Sequence, residues 1–561
     1  MFIKVTKSGS RRYVQLVESY RDENGQVKKR TVATLGRLDQ VGTELESVIS
    51  GLLRLTGRSV PDRVAASFES ARALGDVWAL TELWNELGFS ELRQAFRRTR
   101  HDIDVEALVR VMVLNRLCDP DSKLGVLRWL ETVSLPGVAV QQIEHQHLLR
   151  AMDALIEHRD AVDQRVSALL RPLLDQELAV VFYDMTTIRA EGLSQQHGDV
   201  RQFGMAKEGV IARQFMLGVV QTAEGIPLYH EVFDGNTAEV STLKPTIEKV
   251  IQRFPIQRVI AVADRGLLSV DNLAELQAIT LPSGRPLEFI LAVPGRRYSE
   301  FVELLQPFQQ AHCVSATKEV CGELAWEGLR MIVAHNPQTA ADQGAQRERT
   351  IAELERKAAE WTGKLDAQDA GKRSRGRKLS DGGARARFYH EVCEAHLARI
   401  LRVDLKSELF TYEIDARALT HAQLMDGKLL LVTNAADLAP EQVIERYKSL
   451  ADIERGFRVL KSEIEIGPVY HRLPDRIRAH AAICFMALIL YRVMRQRLAA
   501  SQSGLSPERA LSLLRRIQHH RVSLNNAEPI AGISSISQEQ THILSALRVT
   551  KPTASKQLSL L

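Results

Sequence analysis

The sequence predicts an α/β fold built around a mixed β-sheet. Three short stretches of apolar and β-branched residues, at 177–184, 213–221 and 226–233, are typical of strands. Turn residues separate the second stretch from the third, and a segment with helical periodicity follows at 241–254. The pattern therefore predicts an antiparallel meander of three strands that leads into a helix.

Alternating strands and helices continue the pattern. A strand is predicted at 258–264, a helix at 270–279 and another strand at 288–293. Three strands, a helix, a strand, a helix and a strand are, in this order, typical of a ribonuclease-H-like core. Its first and fourth strands are neighbours, so we expect the acids at their ends, Asp184 and Asp264, to lie side by side.

The rest of the chain divides into regions by composition. Asn24-Gly25 is a strong hairpin signal between two strand-like stretches. A basic stretch at 371–378 lies in a segment that interrupts the core pattern, and 426–433 returns to strand character. We predict six regions: an N-terminal β-hairpin unit at 1–40, a helical region at 41–176, the first segment of the ribonuclease-H-like core at 177–294, an insertion before the last core helix at 295–425, the second segment of the core at 426–475, and a helical C-terminal region at 476–561.

Composition and charge narrow the class of protein. A chain of 561 residues is too long for one core and suggests about three or four domains. The 45% hydrophobic and 25% charged residues are typical of a soluble globular protein. The net charge of +5 argues only weakly for a nucleic-acid partner. The five cysteines are scattered without metal-finger spacing, so a reducing, cytosolic setting fits best.

The apolar segments do not predict a membrane protein. The N-terminus lacks the long apolar core of a signal peptide. The strongest apolar run, at 481–491, is well short of the ~20 residues that a membrane span requires. We therefore expect a buried core helix there.

A third carboxylate, Glu454, lies in a basic segment with helical periodicity. One stripe of this predicted helix holds residues spaced three or four apart: Tyr447, Leu450, Glu454, Arg458 and Lys461. A second, apolar stripe would dock on the sheet: Ile453, Phe457, Leu460 and Ile464. A carboxylate among cations suits a divalent-metal ligand beside phosphate-binding groups. The alternative is a solvated face on which Glu454 and Arg458 support each other.

Other polar segments have two interpretations each. Arg213, at the start of the second strand, would either contact a phosphate or only make the strand edge polar. The basic residues Lys372, Arg373 and Arg375 would either track DNA phosphates or form a solvated loop. Residues 235–239 would either orient an active-site loop or form a turn and a helix start.

The order of the three acids, with a tyrosine and a lysine around the third, resembles the DDE transposases of bacterial insertion sequences. The nearest group is the one marked by a Tyr-Arg-Glu-Lys signature. Further residues agree with this family: Leu35-Gly36, Pro120-Asp-Ser122-Lys123, Gly235-Asn236 with Glu239, Ala263-Asp264-Arg265-Gly266, Asp426-Gly427 and Thr433-Asn434. One position departs from it, since Leu450 stands where the signature has arginine. The similarity extends over nearly the whole chain.

The resemblance implies a role for each matching residue. Asp184, Asp264 and Glu454 are the expected catalytic acids, and they would bind two Mg²⁺ ions, for which Mn²⁺ can substitute. Tyr447 and Lys461 match the signature's contacts to terminal phosphates. Arg458, or its neighbour Arg455, is the candidate for the charge that Leu450 does not supply. In related transposases that form a hairpin, a tryptophan of the insertion stacks a flipped base, and Trp326 would have this role or simply fill the core.

The implied activity is cleavage and joining of DNA at the terminal inverted repeats of the element. The partners would be double-stranded DNA, both terminal repeat and target, and a second copy of the chain in a homodimer or larger synaptic complex. The helical region at 41–176 is then the natural place for DNA-end recognition. The setting would be the bacterial cytoplasm, on the nucleoid, with no membrane. Two alternatives stay open: a catalytically silent DNA-binding protein and a structure-selective nuclease on the same fold.

Overall fold

The computed structural model describes residues 1–553 apart from 39, 41, 58–65, 101, 174–178, 193–195, 206–210, 239–240, 255, 264–269, 372–377 and 525–527. Side chains are described for the same residues except 42–46, 48, 66, 179, 205, 270–272, 275, 296, 451–454 and 524. The chain forms two compact units. The first comprises Met1–Ala71 and His519–Gly532, and the second comprises Arg72–Gln518 and Ile533–Leu561.

The N-terminal part of the chain contains three strands, a helix and a fourth strand: β1 (Phe2–Ser8), β2 (Arg11–Arg21), β3 (Val27–Arg37), α1 (Gly42–Leu55) and β4 (Ala66–Ala73). The first three strands form an antiparallel sheet in the order β1-β2-β3. The hairpin predicted at Asn24-Gly25 is confirmed by the pairing of β2 with β3, in which Arg21 lies opposite Val27. Two strands were not predicted. β1 precedes the hairpin, and β4 lies in the region expected to be helical.

Five helices follow: α2 (Gly75–Glu86), α3 (Val105–Cys118), α4 (Lys123–Thr132), α5 (His145–Glu157) and α6 (Arg159–Leu170). The side chain of Asp104 caps α3 by accepting a hydrogen bond from the Ala107 N–H. Ser122 caps α4 in the same way through the Gly125 N–H. The turn between α3 and α4 is thus both a helix end and a helix start.

The central region alternates strands and helices: β5 (Ala179–Arg189), β6 (Gln202–Met205), β7 (Ile211–Thr222), β8 (Pro227–Asp234), α7 (Leu243–Arg253), β9 (Val259–Ala263), α8 (Val270–Gln277) and β10 (Glu288–Ala292). β5 and β8 both pair antiparallel with β7. β9 pairs parallel with β5, and β10 pairs parallel with β9. The expected adjacency of the first and fourth predicted strands is therefore confirmed. The short strand β6, which pairs with β7, was not predicted.

The next region contains four helices and five strands: α9 (Val302–Phe308), β11 (Val320–Trp326), β12 (Leu329–His335), α10 (Pro337–Asp369), α11 (Asp381–Glu394), β13 (Leu401–Val403), β14 (Tyr412–Ile414), α12 (Ala416–Met425) and β15 (Lys428–Thr433). β12 pairs with β15, which pairs with β10, so β11 and β12 extend the central sheet. α10, α11 and the β13–β14 pair instead surround a smaller core of their own around Phe388. The stretch expected to form one insertion is therefore divided between the central sheet and this smaller core.

The chain ends with α13 (Pro440–Lys448), α14 (Leu450–Ser462), α15 (Pro474–Ala500), α16 (Pro507–Leu514), β16 (Gln518–Leu524), β17 (Ile530–Ile533) and α17 (Gln538–Ala546). β16 lies between β17 and β4 in a three-stranded sheet, so the C-terminal region predicted as helical also contains strands. Among the described helices, α15 alone is long and apolar enough to cross a membrane by length and composition, and 89% of its apolar window is buried in the protein. It packs against α3, α5 and β8 as a core helix.

Candidate active site

Asp184 lies on β5, and its side chain is half-buried. The backbone N–H of Met185 donates a 2.7 Å hydrogen bond to Asp184 Oδ1. The neighbouring strand, β9, ends at Ala263, whose Cα partner on β5 is Tyr183. Asp184 is therefore placed where β9 ends. Asp264 itself lies outside the described residues.

The other face of β5 fixes the orientation of this strand. Tyr183 is fully buried, and its hydroxyl donates a 2.7 Å hydrogen bond to Thr242 Oγ1 just before α7. A Cβ atom at Gly218 would lie 2.9 Å from the Tyr183 hydroxyl, so the close approach requires glycine there. Side chains alternate between the two faces of a strand. Burial of Tyr183 on one face thus turns Asp184 to the other.

The predicted single helix over 447–461 is interrupted at Ser449. Tyr447 lies on α13, and α14 begins at Leu450. The Ser449 hydroxyl donates a 3.0 Å hydrogen bond to the carbonyl of Glu445, a local bond that bends helices. The predicted exposed stripe is therefore wrong in its first half.

The stripe's members fall into two groups. Leu450 is buried, and the Tyr447 ring packs partly buried against the core. Arg458 and Lys461 are exposed on α14. Glu454 lies on α14 between these groups, but its side chain is outside the described residues. Only the C-terminal half of the stripe therefore offers cations to solvent.

A glycine fixes the position of α14. A Cβ atom at Gly456 would lie 2.8 Å from Arg492 Nη2 on α15 and 2.9 Å from Gln221 Nε2 on β7. Both partners are buried, as are Phe457 and Leu460 on the same helix. Sequence patterns did not predict this contact, because the partners of Gly456 are distant in the sequence. α14 is thus held closely against the sheet and α15, two residues after Glu454.

A cavity of 590 Å³ opens beside the carboxyl half of β5. Thr187 on β5, Arg213 on β7 and Lys461 near the end of α14 are among its lining residues. Seven residues are nearly two helical turns, so Glu454 and Lys461 lie on the same flank of α14. The cavity therefore lies beside Lys461, near the C-terminal end of α14.

Arg213 makes its hydrogen bonds to other groups of the protein. Its guanidinium donates to Asp199 Oδ2 at 3.0 Å and to the carbonyls of Gly192 and Arg201. Arg201 is fully buried and also pairs with Asp199, at 2.8 Å. Burial alone would raise the pKa of Asp199, but hydrogen bonds from Arg201 and the charges of both arginines lower it. Of the two interpretations of Arg213, these partners favour strand-edge structure over phosphate contact.

Two further candidates have structural explanations. Trp326 on β11 packs edge-on against Phe301, with ring centroids 5.5 Å apart, which favours its interpretation as a core residue. A Cβ atom at Gly235 would lie 1.9 Å from the carbonyl oxygen of Gln214, so the turn after β8 requires glycine. Glu239 lies outside the described residues.

The basic loop of Lys372, Arg373 and Arg375 also lies outside the described residues. Both of its interpretations therefore stay predictions.

Of the three acids predicted to bind metal ions, Asp184 is the one whose side chain the structure describes. Within the described part of the chain, no three His, Cys, Asp or Glu side chains form a group that could hold a metal ion. Asp264 and the Glu454 side chain are outside that part. Asp184 suits a hard divalent cation in donor type and exposure, because Mg²⁺ prefers carboxylate oxygens and keeps several waters.

Two family models match the chain. The N-terminal domain of IS1634 family transposases matches residues 3–65, and the transposase DDE domain matches residues 322–490, a range that includes Glu454 and Lys461. A similar solved structure is the cryo-EM structure of a piggyBac transposase synaptic complex with hairpin DNA. It shares 8% identity with a TM-score of 0.35, covering 89% of this chain and 87% of that chain. No curated protein matches the chain.

Proposed function

Since the chain belongs to the DDE transposases of insertion sequences, we propose that it cuts and joins DNA at the terminal inverted repeats of its own element. The observation that carries this proposal is the parallel pairing of β5 with β9, with Tyr183 opposite Ala263. Each of these residues directly precedes one of the acids, Asp184 and Asp264. Adjacent parallel strands would bring both carboxylates to one place on the sheet.

The central sheet is the proposed ribonuclease-H-like core. Five of its strands are ordered β8-β7-β5-β9-β10, with three antiparallel strands followed by two parallel ones. This is the arrangement expected from the order of elements in the sequence. β11, β12 and β15 would then be an extension of that core.

The third acid of the proposed site is Glu454. α14 packs against β5, and the close approach at Gly456 fixes this helix two residues beyond Glu454. On a 3.6-residue helix, Glu454 flanks the buried stripe of Phe457 and Leu460 on the side of Lys461. A helix held in this way would give the rigid positioning that phosphoryl chemistry requires.

The three carboxylates would together hold the divalent ions. Mg²⁺ or Mn²⁺, when bound, would supply activation of water or a 3′-hydroxyl and stabilisation of the leaving oxygen. Asp184 and Asp264 would hold from the strands, and Glu454 from the helix. The sheet and the helix packed on it would keep these groups in place during both strand cleavage and strand transfer.

DNA phosphates would lie along the exposed flank of α14. Lys461 and Arg458 are exposed there, and Lys461 also lines the 590 Å³ cavity beside β5. For Tyr447 we propose a contact through its hydroxyl, because its ring packs partly against the core. Since Leu450 is buried, Arg458 is our candidate for the missing signature charge. The active form would be a homodimer or larger synaptic complex on double-stranded DNA.

A cleavage assay tests this proposal. DNA carrying the end of the element is incubated with Mg²⁺ and either the wild type, Asp184→Asn or Asp234→Asn. Asp234 is the matched control, since it is an exposed carboxylate at the end of β8 in the same sheet. We expect Asp184→Asn to lose strand cleavage and Asp234→Asn to retain it. Equal activity in all three proteins would overturn the assignment.

The same assay, repeated with branched DNA, separates the two alternative functions. A structure-selective nuclease would cut branched DNA that lacks the terminal repeat. A catalytically silent DNA-binding protein would bind the repeat and cut nothing.

A further inference from the structure

A second cavity, of 780 Å³, lies between the α3–α4 turn, the start of α5 and the segment that follows α14. Basic and histidine side chains predominate among its polar lining residues: Arg116, Lys123, His145, His471, Arg472 and Arg476. In the sequence, Lys123 is notable only as part of a turn shared with the family. The function proposed above does not use this cavity.

Lys123 is the first residue of α4 and is only 6% exposed. Within the described part of the chain, no hydrogen-bond acceptor or carboxylate pairs with its ammonium group. Burial, together with the nearby charge of Arg116, lowers the pKa of Lys123 to about 7. A buried cation without a counter-charge destabilises a protein. An anionic ligand in the cavity would supply the counter-charge that Lys123 lacks.

Arg116 is the second buried cation, at 4% exposure. It donates hydrogen bonds to the carbonyls of Ile464, Glu465 and Asp121, and its Nε has no partner among the described residues. Carbonyl oxygens carry no formal charge, so the positive charge of Arg116 is not neutralised. The inner wall of the cavity thus holds two uncompensated cations.

The remaining charged groups do not cancel this excess. Of the two acids in the lining, Asp121 is bound by the Ser122 N–H and by Arg128, and Glu465 is exposed. Arg476 is already paired with Asp153 at 2.8 Å. The charge left for a ligand is therefore that of the buried pair, together with the exposed Arg472.

The cavity adjoins the 590 Å³ cavity beside β5. Gly467 and Pro468 line both this cavity and the 590 Å³ cavity that contains Lys461. A chain of phosphates that passes Lys461 could therefore reach Lys123. His480 also lines the cavity. Its buried Nδ1 has no partner in the described structure, and its Nε2 lies 2.9 Å from the Ile466 carbonyl oxygen.

We propose that Lys123 and Arg116 form a phosphate pocket, which binds a backbone phosphate of the DNA strand that passes through the active site. The start of α4 adds the positive end of a helix dipole to this pocket. The inference rests on the proposed function, because that function makes DNA the anionic partner. It adds a phosphate contact that lies away from the three acids.

The first test separates a ligand-binding lysine from a structural one. We expect Lys123→Met to raise Tm by a few degrees, since a buried amine without a hydrogen-bond partner is replaced by an apolar side chain. The same variant should bind DNA roughly tenfold more weakly and with a smaller salt dependence. The matched control is Lys428→Met, at another buried lysine, which donates a hydrogen bond to Gln309. It should leave DNA affinity and its salt dependence unchanged.

A lower Tm with unchanged DNA affinity in Lys123→Met would overturn the proposal.

The second test identifies the source of the phosphate. Lys123 and Lys428 are acetylated in the full-length Asp184→Asn protein with Ca²⁺, and labelling is measured by mass spectrometry. The probes are a duplex carrying the element end, inorganic phosphate, and chloride at equal ionic strength. Protection of Lys123 but not Lys428 by the duplex supports the proposal. Protection by inorganic phosphate alone, or by neither probe, overturns it.

Neither test requires DNA cleavage, so the two proposals fail separately. Protection of Lys123 without Mg²⁺-dependent cleavage by the wild type would remove the proposed chemistry and leave the phosphate pocket. Cleavage without protection would remove only the pocket.

Discussion

Gly456 lies so close to Gln221 that a Cβ atom on the glycine would be 2.9 Å from the glutamine's amide nitrogen. The same Cβ atom would be 2.8 Å from Arg492 Nη2. Gln221 and Arg492 are buried at 0% and 4% exposure, so neither side chain can move into solvent without loss of packing. This contact sets how near α14 comes to the sheet, and with it the position of Glu454.

Gly456→Ala should therefore displace α14. Overpacking of a buried contact costs ~1–3 kcal/mol, and we expect a lower Tm together with a loss of DNA cleavage larger than the loss of DNA binding. The matched control is Gly363→Ala on α10, where a Cβ atom meets nothing within 4 Å. That variant should gain up to ~1 kcal/mol from helix propensity. Unchanged Tm and cleavage in Gly456→Ala would contradict the contact.

A buried ion network joins β8 to α6 and α7. Glu231 accepts from Arg159 at 2.8 Å and from Lys249 at 2.6 Å. Burial would raise the pKa of Glu231, but the charge of Arg159 and the hydrogen bonds from Lys249 and Tyr229 lower it to about 2. A lowered pKa stabilises the folded state above the carboxylate's ordinary pKa, and this stabilisation is lost as the pH falls through about 2.

Glu231→Gln should lower the stability at neutral pH by several kcal/mol, because it leaves a partly buried cation without its partner (~3–5 kcal/mol for fully buried pairs). The stability difference from the wild type should shrink as the pH falls from 5 to 2. Thermal melts over this pH range measure it. Glu224→Gln, at an exposed turn before β8, is the control and should change little. A difference independent of pH would contradict the network.

Lys461 and Arg213 line one cavity but should respond differently to substitution. Lys461→Ala should weaken DNA binding and reduce the salt slope by about one, with little change in Tm. Arg213→Ala should lower Tm, because Asp199 loses a buried hydrogen-bond partner worth ~1–3 kcal/mol. Salt-dependent binding curves and melts of both variants check this. The reverse pattern would indicate that Arg213 contacts DNA.

Local sequence patterns predicted the strand pairings between elements that are close together in the sequence. The alternation of apolar residues and turns was enough to predict the antiparallel order of β5, β7 and β8, since consecutive elements tend to pack together. The place of β9 beside β5 was predicted from the order of the elements, which is typical of a ribonuclease-H-like core. The pairing of β12 with β15 joins strands separated by α10, α11 and α12. No local periodicity specifies such a pairing, so β12 was predicted to belong to an insertion.

The site was predictable in residue types and less so in geometry. Asp184 was predicted at a strand end, although β5 continues to Arg189. At the helix break, the Ser449 hydroxyl bonds to the Glu445 carbonyl, and sequence periodicity does not show this bond. Burial of Lys123 depends on packing among α3, α4 and the segment after α14, and these are far apart in the sequence.

Three acids from separate elements should share one metal site, and binding of Mn²⁺ tests this directly. Bound Mn²⁺ is counted by electron paramagnetic resonance in the presence of element-end DNA, for the wild type and for Asp184→Asn, Asp264→Asn, Glu454→Gln and the control Asp234→Asn. We expect each of the first three variants to lose bound Mn²⁺ and the control to retain it. Full Mn²⁺ binding by any one of the three would contradict the shared site.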